Sequence, residues 1–259
     1  MKARIISVFL LVALALSITS ISCTAASREG WYIIKHENST PDFPYNAKTL
    51  SSHSCYYIDQ KASDEREKIL YLTFDAGYEN GNIESILDTL KEEGVSAAFF
   101  ILSNLLLKNT QLVERMFCEG HTVCNHTSKH RDLTTLCDSE IEGELTRLEE
   151  QCFEKTGKTP EKFFRYPEGV YNEHTVDIIE KLGYKSFFWS IAYADWDNNK
   201  QPEPEAALKS LSRQLHPGAI ILMHPTSQTN AKIMKDFIYY CRNAGYEFGS
   251  LRDLISRNK

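Results

Sequence analysis

From Lys68 onward, two periods of hydrophobicity alternate along this chain. Short runs that are apolar at nearly every position read as strands: ILYLTF (69–74), AAFFIL (97–102), TVCNH (122–126), FFRYP (163–167), KSFFWS (185–190), AIILMH (219–224) and YEFGSL (246–251). Between them, apolar residues recur at helical spacing. Ile83, Ile86, Leu87 and Leu90 form one stripe, ended by Gly94. Leu112, Val113 and Met116 precede Gly120, and Val176, Ile179 and Leu182 precede Gly183. Ile141, Leu145, Leu148 and Cys152 precede Gly157, with Asp138 or Ser139 placed to cap the start. The last long helix is expected to stop at Gly245. Glycine suits these ends because it adopts the left-handed conformation that terminates a helix.

Strands that alternate with helices build a parallel sheet covered by helices. Strands without a polar face suit a sheet buried on both sides. The chain contains no GxGxxG and no Walker loop, which removes support for an open nucleotide-binding sheet. The expected architecture is α/β, a distorted (β/α) barrel of seven or eight parallel strands over residues 68–259.

Residues 27–67 have a different character. Pro41, Pro44, several Ser and Asn, and the charged run ASDEREK predict an irregular arm. Trp31, Tyr32, Phe43, Tyr45, Tyr56 and Tyr57 predict that the arm packs on the barrel. Residues 1–26 read as a secretory signal: Lys2 and Arg4, an apolar run from Ile5 to Ile18, then small residues. The run is about 14 residues, short for a bilayer span. Cleavage after Ala26, cleavage before a lipidated Cys23, and retention as an anchor all deliver the chain to the cell wall or spore-envelope space.

Composition narrows the function. The net charge is −6, and no Lys/Arg cluster follows the first residues, so a nucleic-acid surface is excluded. The seven cysteines are irregularly spaced and include no CxxC pair, which argues against a structural zinc. Cys152 lies on an apolar helix face and reads as core, whereas Cys118 and Cys124 flank a turn, with free thiols favoured there over a pair.

In an α/β barrel, reactive groups stand at the C-terminal ends of the strands. Here those ends collect Asp75, His126 and His130, Arg165, Asp195 with Trp196, and His224. On a helical turn or in a tight turn, the spacing of His126 and His130 puts both rings on one side. Two imidazoles make half a metal site, and a catalytic zinc usually has three protein ligands. Amide hydrolysis would use the remaining groups, since it needs a base for water and an acid for the leaving amine.

The segments TFDAGYEN, NHTSKH, FRYPEG, ADW and LMH, in this order and spacing, resemble the polysaccharide deacetylase family. This is the chitooligosaccharide deacetylase-like family, carbohydrate esterase family 4, and the resemblance runs over residues 68–255. It implies an N-deacetylase in which Asp75 is the base, Arg165 orients it, His224 is the general acid and Asp195 tunes that histidine. It also implies that His126 and His130 bind metal and that Leu222 walls the acetyl methyl. Tyr78, Arg165, Tyr166 and Trp196 are expected to meet substrate.

TFDxGYEN and WSIAYADW are similar to one branch, the delta-lactam-biosynthetic de-N-acetylases of spore-forming bacteria. That branch implies N-acetylmuramic acid in peptidoglycan strands as substrate and delta-lactam formation in spore cortex as outcome. The alternatives are N-acetylglucosamine in peptidoglycan or chitin, and a catalytically silent glycan-binding homologue. One position departs from the family: Ala76 stands where most members carry Asp as third ligand and this branch typically carries Asn. A zinc-like divalent metal is therefore expected to bind weakly or not at all. The expected protein is a monomer, without a stable membrane span after processing. An acidic chain acting on an anionic glycan also needs a local Lys or Arg along its groove, a place that Arg165 could fill.

Overall fold

The computed structural model describes residues 27–258. Residues 1–26, expected as a secretory signal and including Cys23, lie outside the described residues. The arm contributes β1 (Glu29–Gly30), α1 (Ala47–Leu50), β2 (Cys55–Tyr56) and α2 (Gln60–Glu65). The barrel follows with β3 (Ile69–Ala76), α3 (Ile83–Glu93), β4 (Ala98–Ile101), α4 (Ser103–Lys108), α5 (Thr110–Cys118), β5 (Thr122–Asn125), α6 (Asp138–Thr156) and β6 (Glu161–Phe164). Then come β7 (Val170–Tyr171), α7 (Glu173–Lys181), β8 (Lys185–Phe187), α8 (Pro204–Ser212), β9 (Ala219–Met223), α9 (Gln228–Asn243), β10 (Glu247–Phe248) and α10 (Leu251–Arg257).

All seven runs expected as strands contribute to one parallel sheet. Its order is β10-β3-β4-β5-β6-β8-β2, with β9 also on β3. The sheet curls until Ile191, just beyond β8, bridges Ile221 of β9 in parallel. The backbone N–H groups of Ser190 and Ile191 donate to the Ile220 carbonyl there, at 2.9 and 3.1 Å.

Side-chain alternation along β3 sorts its residues between two compartments. Leu70, Leu72, Phe74 and Ala76 join the outer core, with Ile86 and Leu87 of α3 and Met234 of α9. Tyr71 joins the inner cluster with Phe100, Phe163, Phe187 and the α10 residues Leu251 and Leu254. Asp75 has the same parity as Tyr71, so the strand lifts it to the mouth of the barrel.

The arm is more regular than expected. β2 adds to β8 in parallel, and β1 pairs antiparallel with β7. Trp31 stacks on Phe188 at 4.6 Å between centroids and packs with Phe43 and Tyr57. The packing is partial, because Tyr45 is 99 % exposed. Buried Asp59 ties the arm to the C-terminal end. It accepts from Tyr71 Oη at 2.5 Å, Arg257 Nε at 3.2 Å and Asn258 Nδ2 at 2.9 Å.

Two local expectations need correction. Cys137, rather than Asp138 or Ser139, caps α6, and its N–H donates to Glu140 Oε2 at 3.0 Å. The run at 246–251 yields only a two-residue strand, because Ser250 and Asp253 cap one another and start α10. Cys118 and Cys124 are both free: Cys124 points into the inner cluster and Cys118 lies exposed at the end of α5.

Candidate active site

One cavity of about 840 Å³ opens at the C-terminal ends of the strands. Asp75, His126, His130, Leu222 and His224 line it, as do Tyr78 and Trp196 at its exposed rim.

Asp75 meets a fully buried Arg165, whose Nη1 donates to Oδ1 at 2.8 Å. Arg165 spends Nε on Phe187 O (3.0 Å) and Nη2 on Thr73 Oγ1 (2.9 Å) and Phe188 O (3.3 Å). Its guanidinium also lies 4.2 Å from the Phe100 ring centroid. Such a fork holds a carboxylate in one orientation. Burial pushes the Asp75 carboxyl up, while Arg165, His126 and His224 pull it down further, so it sits below the ordinary aspartate value. The carboxylate is ionised at neutral pH.

His224 forms the second dyad. Its Nδ1 donates to Asp195 Oδ1 at 2.7 Å, which leaves Nε2 for the cavity. Asp195 is 1 % exposed, and its Oδ2 accepts from the His224 backbone N–H at 2.8 Å and Asn230 Nδ2 at 2.6 Å. Burial alone would lower the imidazole. Asp195, with help from Asp75, overcomes it and holds His224 above the ordinary histidine value.

His126 and His130 face one another with ring centroids 5.0 Å apart. They sit in a turn, not on a helix. Thr127 and His130 take positive φ, 75° and 57°, a costly conformation for a β-branched residue. The turn is stapled by Asn125 Oδ1, which accepts from Thr127 N at 2.8 Å, and by Thr127 Oγ1, which accepts from His130 N at 2.8 Å. His126 Nδ1 donates to Arg165 O at 2.8 Å, and Nε2 lies 3.6 Å from Asp75 Oδ2. Burial pushes His126 down to about 4, so it is neutral and its Nε2 lone pair is free.

These donors test the expected metal. A neutral imidazole oriented by a backbone carbonyl is suited to ligation. However, no group of three His, Cys, Asp or Glu side chains able to hold a metal occurs among the described residues. Ala76 offers no donor atom and is buried in the outer core. A centre with three dedicated side-chain ligands does not fit these residues; two imidazoles do remain on one side of the cavity.

Two substrate-contact expectations fail on burial. Tyr166 is fully buried, stacked 5.5 Å from Phe188 between centroids, and does not line the cavity. Arg165 lies beneath Asp75 with every nitrogen engaged, so it positions the carboxylate and cannot reach a sugar. Several residues escaped sequence reasoning. Asn230 orients Asp195, and Asn80 and Asn82 donate to Thr226 O at 2.8 and 2.9 Å, bracing the turn after His224. Ile33 and Lys35 bring the arm into the cavity wall. Only GYEN gave a signal, and there it was read as a branch marker rather than as a brace.

The sequence profile of the family described as polysaccharide deacetylase matches residues 62–187. Over 206 residues the chain is 37% identical to the peptidoglycan-N-acetylmuramic acid deacetylase PdaA of Bacillus subtilis, covering 80% of this chain and 77% of that protein. The chain belongs to the polysaccharide deacetylase family.

Members of this family are generally metal-dependent hydrolases of carbon–nitrogen bonds. The solved structure of Bacillus subtilis PdaA, a family 4 carbohydrate esterase, matches this polysaccharide deacetylase with a TM-score of 0.85 and 34% identity, covering 90% of this chain and 98% of that one. A family 4 pseudoenzyme from Bacillus anthracis matches with a TM-score of 0.67 and 27% identity, covering 72% of this chain and 65% of that one.

Proposed function

We propose that this chain is an exported peptidoglycan deacetylase that hydrolyses the N-acetyl group of N-acetylmuramic acid. The observation that carries this reading is the convergence of two locked dyads, Arg165–Asp75 and Asp195–His224, on one cavity. Similarity to the muramic acid deacetylase of Bacillus subtilis supports the substrate.

In the proposed reaction Asp75 takes a proton from water as its oxygen attacks the acetamide carbon. The carbon–nitrogen bond then breaks as His224 Nε2 gives its proton to the departing nitrogen. The products are acetate and a free amine, which can close a delta-lactam with the lactyl carboxyl in spore cortex. The environments drive the two pKa values apart, Asp75 down and His224 up, which widens the pH range in which an ionised base and a protonated acid coexist. Leu222 walls the methyl group, and Tyr78 and Trp196 offer aromatic faces to the sugars. His126 and His130 hold a divalent cation weakly, as a half-site without the family's third ligand.

The test is mass spectrometry of glycan strands treated with purified protein, with and without chelator. Loss of one acetyl per muramic residue is expected. Release from N-acetylglucosamine alone would replace the substrate, and no release from either sugar would place the chain with the silent homologues.

A further inference from the structure

The muramic sugar differs from glucosamine by a lactyl ether that carries a carboxylate. Arg165 cannot receive it. Lys35 is the one Lys or Arg among the described residues that lines the cavity. It has no hydrogen-bond or ion-pair partner there, and the neighbouring acid Asp42 is taken by His36 Nε2 at 3.0 Å. The other acids of the wall are engaged too: Asp75 with Arg165, and Glu168 Oε2 at 3.9 Å from Arg28.

The backbone that carries Lys35 is fixed on both sides. Trp31 N donates to Gly169 O at 2.9 Å and Trp31 Nε1 to Trp189 O at 2.9 Å. Ile34 exchanges two hydrogen bonds with Asp42, at 2.9 and 3.0 Å. Lys35 is thus held one residue beyond a β-bridge, its ammonium unpaired and the one Lys or Arg of the described wall, in the cavity that the histidines of the site also line. The surroundings withdraw water from it and lower its pKa from the ordinary lysine value.

We infer that Lys35 is a specificity-determining residue, an arm-borne cation that pairs with a carboxylate on the hexosamine being deacetylated. This rests on the peptidoglycan reading above. An ammonium and a carboxylate at a cavity rim attract at long range and form a charge-assisted hydrogen bond on contact. In strands that keep their peptide stems that carboxyl is an amide and carries no charge. Lys35 therefore favours stem-free strands over both stem-bearing strands and chitin.

The experiment compares initial rates on three substrates: stem-free glycan strands, the same strands with the lactyl carboxyl capped as methylamide, and a chitin oligomer. Lys35→Gln is expected to raise KM on the stem-free strands about five- to tenfold. It should leave kcat there, and both constants on the other two substrates, unchanged. Lys35→Arg should keep the wild-type KM. A Gln variant that still separates free from capped carboxyl as the wild type does, or that weakens all three substrates equally, would overturn the assignment. Wild-type protein that releases no acetate from muramic residues would instead fail the underlying reading, and the Lys35 proposal with it.

Discussion

In the proposed acid–base pair, Arg165 leads the groups that hold Asp75 down and Asp195 leads those that hold His224 up, so each limb of the pH–rate profile should answer chiefly to one of these neighbours. Replacing Arg165 with Met removes the charge that opposes burial, so the Asp75 pKa rises and the acidic limb moves to higher pH. Replacing Asp195 with Asn removes what holds His224 up, so the imidazole loses its proton earlier and the alkaline limb moves to lower pH. A full profile of each variant checks both directions, and limbs that moved together would assign them to one coupled group. Asp75→Asn should lower kcat by about 10²–10⁴, the usual worth of a general base. It should also destabilise the fold, because Arg165 then stays buried without its counter-charge. Ala76→Asp restores a donor at a fully buried position. The expected result is lower melting temperature without zinc, recovery with zinc, and tighter binding by calorimetry. Unchanged affinity would exclude His126 and His130 as a metal half-site.

At the scale of elements, the arm and the turn at 167–171 form one unit. Gly169 takes φ +67°, and a Cβ there would come within 2.7 Å of the Trp189 ring. Gly169→Ala should cost on the order of 1–3 kcal/mol and raise KM by displacing Trp31 and the residues beyond it. Thermal unfolding and steady-state rates measure the two effects. The strands and most helix ends were legible because their signals are local: unbroken apolar runs, 3.6-residue stripes and stopping glycines. Asp75, His126 and His224 were legible because they end or directly follow strands, and His130 and Asp195 because they lie in the loops just beyond β5 and β8. Tyr166 was misplaced because adjacency to Arg165 says nothing about facing, and strand alternation turns it into the aromatic core. Asn230 gave no signal because the Asp195 it holds is 35 residues away, and Lys35 gave none because only the packing of the arm brings it to the cavity.

For the whole molecule, all six described cysteines are free thiols, and four of them are buried. Stability should therefore be indifferent to reductant, and unfolding under non-reducing conditions should expose every one of them to alkylation. A melting temperature that falls with dithiothreitol would reveal a crosslink absent from this fold. Among the described residues the curled sheet meets itself through two isolated bridges, Ile191 to Ile221 and Ile58 to Ala219, rather than through a continuous ladder.

Asp59 joins residues from opposite ends of the chain, since its partners include Tyr71 in the first long strand and Arg257 and Asn258 at the last helix. The arm therefore has two independent moorings: this buried carboxylate beside the last helix, and the pairing of β1 and β2 with β7 and β8. Clipping the final turn should loosen the first and leave the second, so the segment around Trp31 should stay seated while the end near Asp59 gains hydrogen exchange.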